Sequence, residues 1–409
     1  MKRVLDMFKV KANFKSILLY LFIFAVIYQS GSVRAALLGE GFLFYATRLV
    51  LIVTPLILIP TLGIGNKQIS LMSLFLFLGL FFVGLNYFLY PDGAFRVLYK
   101  IAILIFTIGV YLATTKKNID INQYIYKTIM LIATVGLVFY LATDLAKLPI
   151  PYSVVYSENS YRYHDFFELY FSYHYNEALP RLSGLFWEPG AYQIYLNIAL
   201  FLYVFERKKN KIELAILLIS ILFAQSTLGY CIAALLIAMH LSMNGFFNKK
   251  SKTIVGAIGL LVALIVACFV VYKKVEATSG YMDGSATLRF LDIVNGLKVF
   301  SNHPLIGTGF GNEQEFKALD YFGRGSSNGL LSYAYMTGLV GLIFALVPFI
   351  RNYLHAKDKN RQAVWIVLLL LANCGEPIYN LPIMAFYLAI EYVKMLNRKS
   401  LKRVIVDDK

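Results

Sequence analysis

The sequence predicts an all-α, polytopic membrane protein, and three observations carry that expectation. Apolar residues make up 59% of the chain and charged residues only 15%, where soluble domains carry about 25% charged residues. Apolar runs of about 20 residues, the length a helix needs to cross a bilayer, recur along the whole chain. Between them the basic residues gather in short loops, at Lys116–Lys117, Arg207–Lys211, Lys249–Lys252 and Arg351–Arg361. The net charge of +16 is therefore a topological signal of the positive-inside kind and not a nucleic-acid footprint.

Taken in order, the length rule gives about twelve spans. They lie near 16–33, 42–64, 69–89, 96–114, 124–144, 190–205, 212–225, 228–243, 253–272, 329–350, 363–375 and 378–395, within a single integral membrane domain over 1–409. The first follows Lys2, Arg3, Lys9, Lys11 and Lys15. It is expected to be an uncleaved span, because the remaining chain is itself membrane-embedded. The pairs meeting around 225–228 and 375–378 are short, which leaves a re-entrant path open for either. With the short basic loops on the cytoplasmic side, both termini are cytoplasmic. Cys231, Cys268 and Cys374 sit in or at the end of apolar runs, with no CxxC and no neighbouring histidine, so they read as small core residues.

Two external loops stand out by length, 145–189 and 273–328, and long loops in a compact bundle are functional or disordered. The first is crowded with aromatics from Tyr152 to Trp187 and is expected to fold back on the membrane surface. Its rings suit two roles, an interfacial belt or a platform for the apolar face of a sugar. In the second loop, Ser285 or Thr287 caps a helix with Phe290, Ile293, Val294, Leu297 and Phe300 on one stripe and Arg289, Asp292 and Lys298 off it. That pattern is an amphipathic helix for the outer interface or for docking on the bundle.

Nucleotide and metal chemistry find no support. Gly307 to Gly311 lacks the Gly-Lys-Ser/Thr end of a P-loop, and no HExxH or GxSxG is present. What the external segments offer is arginine beside carboxylate: Arg162, Arg181 and Glu188 in the first, Arg289 and Arg324 in the second. Arg48 lies inside the second span, where it snorkels to the surface or faces a partner. Guanidinium binds phosphate oxygens in a fork, so Arg181, Arg289, Arg48 and Arg324 suit a lipid-linked diphosphate and its stabilisation as a leaving group. An attacking hydroxyl must lose a proton, and Glu188 beside Trp187 and Pro189 is the candidate general base. Its alternative role is a carboxylate at the N-terminus of the span that follows.

The large loop ending in RLSGLFWEP, then STLGY at the head of a span, then SATLRF, NHPLIGTGFGN and SSNGLLSYAYMTGLVGLIF, together resemble the O-antigen polymerase and O-antigen ligase superfamily over roughly residues 180–350. The resemblance implies a helical glycosyltransferase of the bacterial inner membrane. Its substrate would be an undecaprenyl-diphosphate-linked glycan, with no cofactor and no metal. On this likeness Arg181 and Arg289 take the place of the family's loop arginines, and His303 to Gly309 match its glycine-rich turn. Trp187, Tyr192 and His303 are the expected sugar contacts. Where ligases open the next span with His-Asn, this chain has Ser327-Asn328, which favours a polymerase of repeat units over a ligase. A flippase is the third reading. The expected partners are the lipid-linked oligosaccharide and a chain-length regulator protein, with no nucleic acid.

Overall fold

The computed structural model describes residues 13–156, 162–173, 180–206, 210–243, 285–321 and 323–407. In chain order these form α1 (Phe14–Tyr28), a π-turn (Arg34–Leu38), α2 (Phe42–Leu62), α3 (Asn66–Leu89), α4 (Ala94–Lys116) and α5 (Ile121–Phe139), which continues as a π-turn (Tyr140–Leu145). Strands β1 (Ser153–Tyr156), β2 (Arg162–Phe166) and β3 (Tyr170–Tyr173) follow, then α6 (Pro189–Glu206), α7 (Lys211–Ala224) and α8 (Thr227–Met243). The rest is α9 (Ser285–Asn302), α10 (Gln314–Leu319), α11 (Gly329–Leu354), α12 (Lys359–Gly375) and α13 (Pro382–Asp407). The chain divides into two compact units, Met1–Thr54 with Asp120–Lys273 and Pro55–Ile119 with Lys274–Lys409.

The helices begin where the side chains can take up free N–H groups. Asn13, Asp120, Asn210, Asn328 and Asp358 each accept a backbone N–H of the first turn of the helix they precede. Among the described residues, five segments are long and apolar enough to cross a membrane: Phe42–Leu62, Gln68–Leu89, Pro91–Lys116, Ile121–Leu145 and Gly329–Leu354. The expected spans 16–33, 190–205, 212–225, 228–243 and 363–375 fall on helices of 14–18 residues, 378–395 falls mostly on the 26-residue α13, and 253–272 with Cys268 lies outside the described residues.

An all-helical chain was expected, and the first long connection departs from it. It holds a three-stranded antiparallel sheet in the order β1-β2-β3, with Tyr156 opposite Arg162 and Phe166 opposite Tyr170. Tyrosine and phenylalanine favour strands, and β2 and β3 are buried on both faces, through Tyr163, Asp165 and Phe171 on one and Phe166, Tyr170 and Ser172 on the other. The aromatics of the loop are thus largely strand residues.

In the first unit α6 is buried on nearly every side, from Ala191 through Tyr203, as expected of a helix apolar all round. Gly229 lets α8 approach it closely: a Cβ there would stand 2.9 Å from Cβ of Gln193. The buried amide of Asn197 closes the contact by donating to the Gln193 side chain (2.9 Å) and to the Gly229 carbonyl (3.2 Å).

In the second unit α11 is broken. Gly338 has φ 63° and ψ −164°, which ends one helix and starts another. The turn 304–309 fills the break. Thr308 and Gly309 donate to the carbonyls of Tyr335 and Met336 (2.9 and 3.1 Å), and Leu339 and Val340 donate to those of Pro304 and Leu305 (2.8 and 3.1 Å). Irregular backbone in a membrane helix must be satisfied in this way, because lipid offers no hydrogen bonds.

Candidate functional site

The candidate residues fall into two groups, one in each unit. In the first unit, Arg181 to Trp187 form an extended strap. Leu182 N–H donates to Phe223, Phe171 N–H to Gly184, Val33 N–H to Leu185 and Trp187 N–H to Gly31, at 2.8–3.2 Å. Gly31 and Gly184 both lie at positive φ; the Trp187 ring packs against the first and the Tyr192 ring against the second. Arg181 is half-buried and donates through Nη2 to the carbonyl of Gln225 (3.0 Å). Gln225 ends α7 in the left-handed conformation, at φ 51°. A cation is favoured there by the carbonyls of the helix C-terminus. Among the described residues the guanidinium Nε has no hydrogen-bond partner. Arg181 therefore meets the head of the STLGY segment, a neighbourhood that the two motifs do not reveal when read separately.

Glu188 lies directly before α6, with Pro189 as the first helical residue and the Glu188 carbonyl accepting from Tyr192 N–H (3.1 Å). It is half-buried, and its place at the helix start suits the macrodipole. Trp187 is also half-buried, its carbonyl accepting from the Tyr163 hydroxyl (3.1 Å). Tyr192 corrects the expectation of a sugar contact. It is fully buried, packed over Gly184 and stacked on Phe186 with centroids 5.5 Å apart, so its ring presents no face to a ligand. Arg48 is exposed, its guanidinium 4.1 Å above the Phe44 ring.

The sheet carries charged residues that motif reading passed over. Arg34 pairs with the buried Asp165 at 2.6 Å. Glu168, at the tip of the β2–β3 turn, accepts the N–H groups of Phe42 and Leu43 (2.8 Å each) and the Tyr28 hydroxyl (3.4 Å). It thus caps α2 from across the chain. Asp144 is buried and accepts the hydroxyls of Tyr170 and Ser172. Burial, then the neighbouring Asp144 carboxylate, pushes the Tyr170 phenol well above its ordinary pKa. The only sequence signal was charge set among strand-type aromatics, as in Arg162–Glu168.

In the second unit, α9 turns its stripe outward: Phe290 is 65% and Leu297 52% exposed, with Ile293 and Val294 beside them. Phe300, expected on the same stripe, packs with the buried Val299, Phe316 and Tyr335. The inward face holds Asp292, Gly296 and Val299. Gly296 admits the Leu331 side chain, 3.2 Å from where a Cβ would stand. Arg289, exposed on the early turns, donates through Nη1 to the Gly375 carbonyl at the end of α12 (3.0 Å). Asp292, 1% exposed, accepts both the N–H (2.9 Å) and the hydroxyl (2.5 Å) of Ser327. Arg324 pairs with the buried Asp320 at 3.0 Å. His303 meets Glu315 at 2.8 Å, and Asn302 donates to the same carboxylate, so His303 joins the end of α9 to α10.

Beneath the 304–310 turn lies an apolar cavity of about 260 Å³ walled by residues such as Phe82, Leu104, Phe310, Met336 and Leu388. The Lys100 ammonium is 4.2 Å from the Phe310 ring centroid on its wall. Among the described residues no cluster of histidine, cysteine and carboxylate could hold a metal.

Long apolar helices, an outward apolar stripe beside a tethered arginine and a broken helix closed by a glycine turn define a helical membrane protein with structured connecting segments. Residues 213–346 match the model of the O-antigen ligase family. The matched stretch, about a third of the chain, takes in α9, Arg289, Ser327 and the glycine turn, and over that stretch the chain is similar to the O-antigen ligase family. A comparison with curated proteins finds no match.

Proposed function

We propose that the protein is a polysaccharide polymerase that joins undecaprenyl-diphosphate-linked repeat units on the outer face of the bacterial inner membrane. The observation that carries the reading is the setting of Arg289, exposed on a helix whose neighbouring apolar stripe is also exposed. A helix of that kind lies in the headgroup layer, the level at which a lipid diphosphate sits. One hydrogen bond to Gly375 orients the guanidinium and leaves its other donors for phosphate oxygens.

In this reading the diphosphate of the growing chain leaves as a hydroxyl of the incoming unit attacks the anomeric carbon. Each of Arg181 and Arg289, taken in its own unit, has the chemistry to stabilise the charge that develops on the leaving group. Glu188, beside Arg181 in the first unit's strap, has the chemistry of the general base. The apolar cavity suits a stretch of the lipid chain. Ser327, in the place of the ligase histidine, favours polymerisation; the description of the matched family keeps the ligase as the second reading.

The test is the glycan of a deletion strain complemented with wild type, Arg181→Ala, Arg289→Ala and Glu188→Gln, at matched protein levels. A lost polymerase leaves a single repeat unit on the acceptor, and each variant should shorten the ladder. Polymer that forms but stays on the lipid carrier in the deletion strain identifies a ligase. Wild-type ladders from both arginine variants would overturn the mechanism.

A further inference from the structure

We propose that Asp292 is the positioning residue for Arg289, acting through Ser327; the inference rests on the reading of Arg289 as the diphosphate-binding arginine.

Three observations converge on the start of α9. Arg289 and Asp292 are three residues apart, so they lie one turn apart on the same side of the helix, yet their side chains go to different elements. The arginine is exposed and reaches the last carbonyl of α12, whereas the carboxylate is buried and takes both donors of Ser327. Ser327 in turn lies one residue before Asn328, which caps α11 by accepting the N–H of Leu331 (3.1 Å). The start of α9 is therefore tied to the end of one helix by its cation and to the beginning of another by its anion.

The need for such a tie follows from the packing. Among the described side chains of α9, Asp292 and Gly296 meet the bundle near Arg289, while Phe290, Ile293, Val294 and Leu297 face outward. The hydrogen bonds of Asp292 tie this part of the helix to the start of α11 and so set where Arg289 stands. A buried carboxylate is costly unless it is hydrogen-bonded, and Ser327 supplies two bonds from one residue. This gives Ser327 a role the family's histidine would fill differently: it holds the arginine's helix in place.

The test is a set of full-length variants in the deletion strain, with protein levels and ladder length measured together, and with polymerisation rate in membranes as the quantitative readout. Asp292→Asn and Ser327→Ala should slow polymerisation on the order of tenfold, in keeping with the sensitivity of transfer to the placement of an arginine clamp. Ser327→Thr keeps the hydroxyl and should restore the rate. In an Arg289→Lys background, whose flexible amine depends less on a placed fork, Asp292→Asn should cost much less than in wild type, the non-additivity expected of coupled residues.

Full additivity, or wild-type rates for both Asp292→Asn and Ser327→Ala while Arg289→Lys is impaired, would overturn the inference and leave the polymerase reading standing. Wild-type rates for Arg289→Lys and Arg289→Ala would instead remove the role of Arg289 and this inference with it. If Asp292→Asn fails to accumulate, the contrast between Ser327→Ala and Ser327→Thr decides: equal rates refute the tie.

Discussion

Gly338→Ala should be a strongly damaging single-methyl change in the second unit. Gly338 combines φ 63° with ψ −164°, a region essentially confined to glycine and costing other residues about 1–3 kcal/mol. A Cβ there would also overlap the Leu305 carbonyl, which accepts from Val340 beside the bond from Leu339 to Pro304. Moving that carbonyl aside breaks or weakens both bonds in a setting without water. Each buried group left unsatisfied costs about 1–3 kcal/mol, so with the conformational cost the sum is about 2–9 kcal/mol once one or two bonds are lost. Gly323→Ala is the matched control, because Gly323 has φ 64° with nothing within 4 Å of the added methyl. It should lose about 1 kcal/mol, the conformational part alone. The assay is unfolding of the purified protein in nanodiscs followed by thermal or denaturant titration. Equal stability of the two variants would refute the claim that the turn closes the broken helix.

Three further outcomes follow from named contacts. Tyr170→Phe removes one of the two hydroxyls on the buried Asp144 and should destabilise the protein by about 1–3 kcal/mol. Because the folded pKa of Tyr170 is raised, its contribution is complete below the unfolded value of about 10 and fades as pH rises through the folded value. The gap between wild type and Tyr170→Phe should therefore stay constant across neutral pH. Arg34→Ala strands the buried Asp165 and should cost about 3–5 kcal/mol, as for a broken buried pair, whereas Arg34→Ala with Asp165→Asn should recover part of it in a double-variant thermal scan. Asn328→Ala removes the cap of α11 and should lower stability by about 1 kcal/mol, read as a shifted unfolding midpoint; an unchanged midpoint would show that Ser326 or Ser332 takes over the cap.

How far the sequence could be read depended on whether the signal was local. The long apolar helices were legible because hydropathy is a property of consecutive residues, and the starts at Gly329 and Pro189 follow from the Asn328 cap and the Pro189 turn. The stripe of α9 was legible as periodicity, but which way it faces was not. Periodicity says that one side is apolar, and only the bundle decides that Asp292 and Gly296 go inward. The sheet of the first connection escaped because aromatic residues serve an interfacial loop as well as a strand. Its register depends on pairs such as Tyr163 with Tyr173, ten residues apart. The break at Gly338 was hidden inside a continuous apolar run, since hydropathy does not record φ.

That hidden break also explains why the glycine-rich turn has the composition it has. Gly307 and Gly309 both sit at positive φ, and a Cβ on Gly307 would run into the backbone of Met336. Pro304 and Leu305 supply bare carbonyls to the far side of the break, and Thr308 and Gly309 supply N–H groups to the near side. The turn is therefore shaped by the orphaned groups of α11, which accounts for two of its glycines without any phosphate. Gly307→Ala consequently tests the architecture and not a ligand site. It should destabilise the protein about as much as Gly338→Ala, and the two together should cost less than the sum of each alone, because both break the same junction. Strict additivity of the pair in denaturant titrations would mean that the two glycines serve separate contacts.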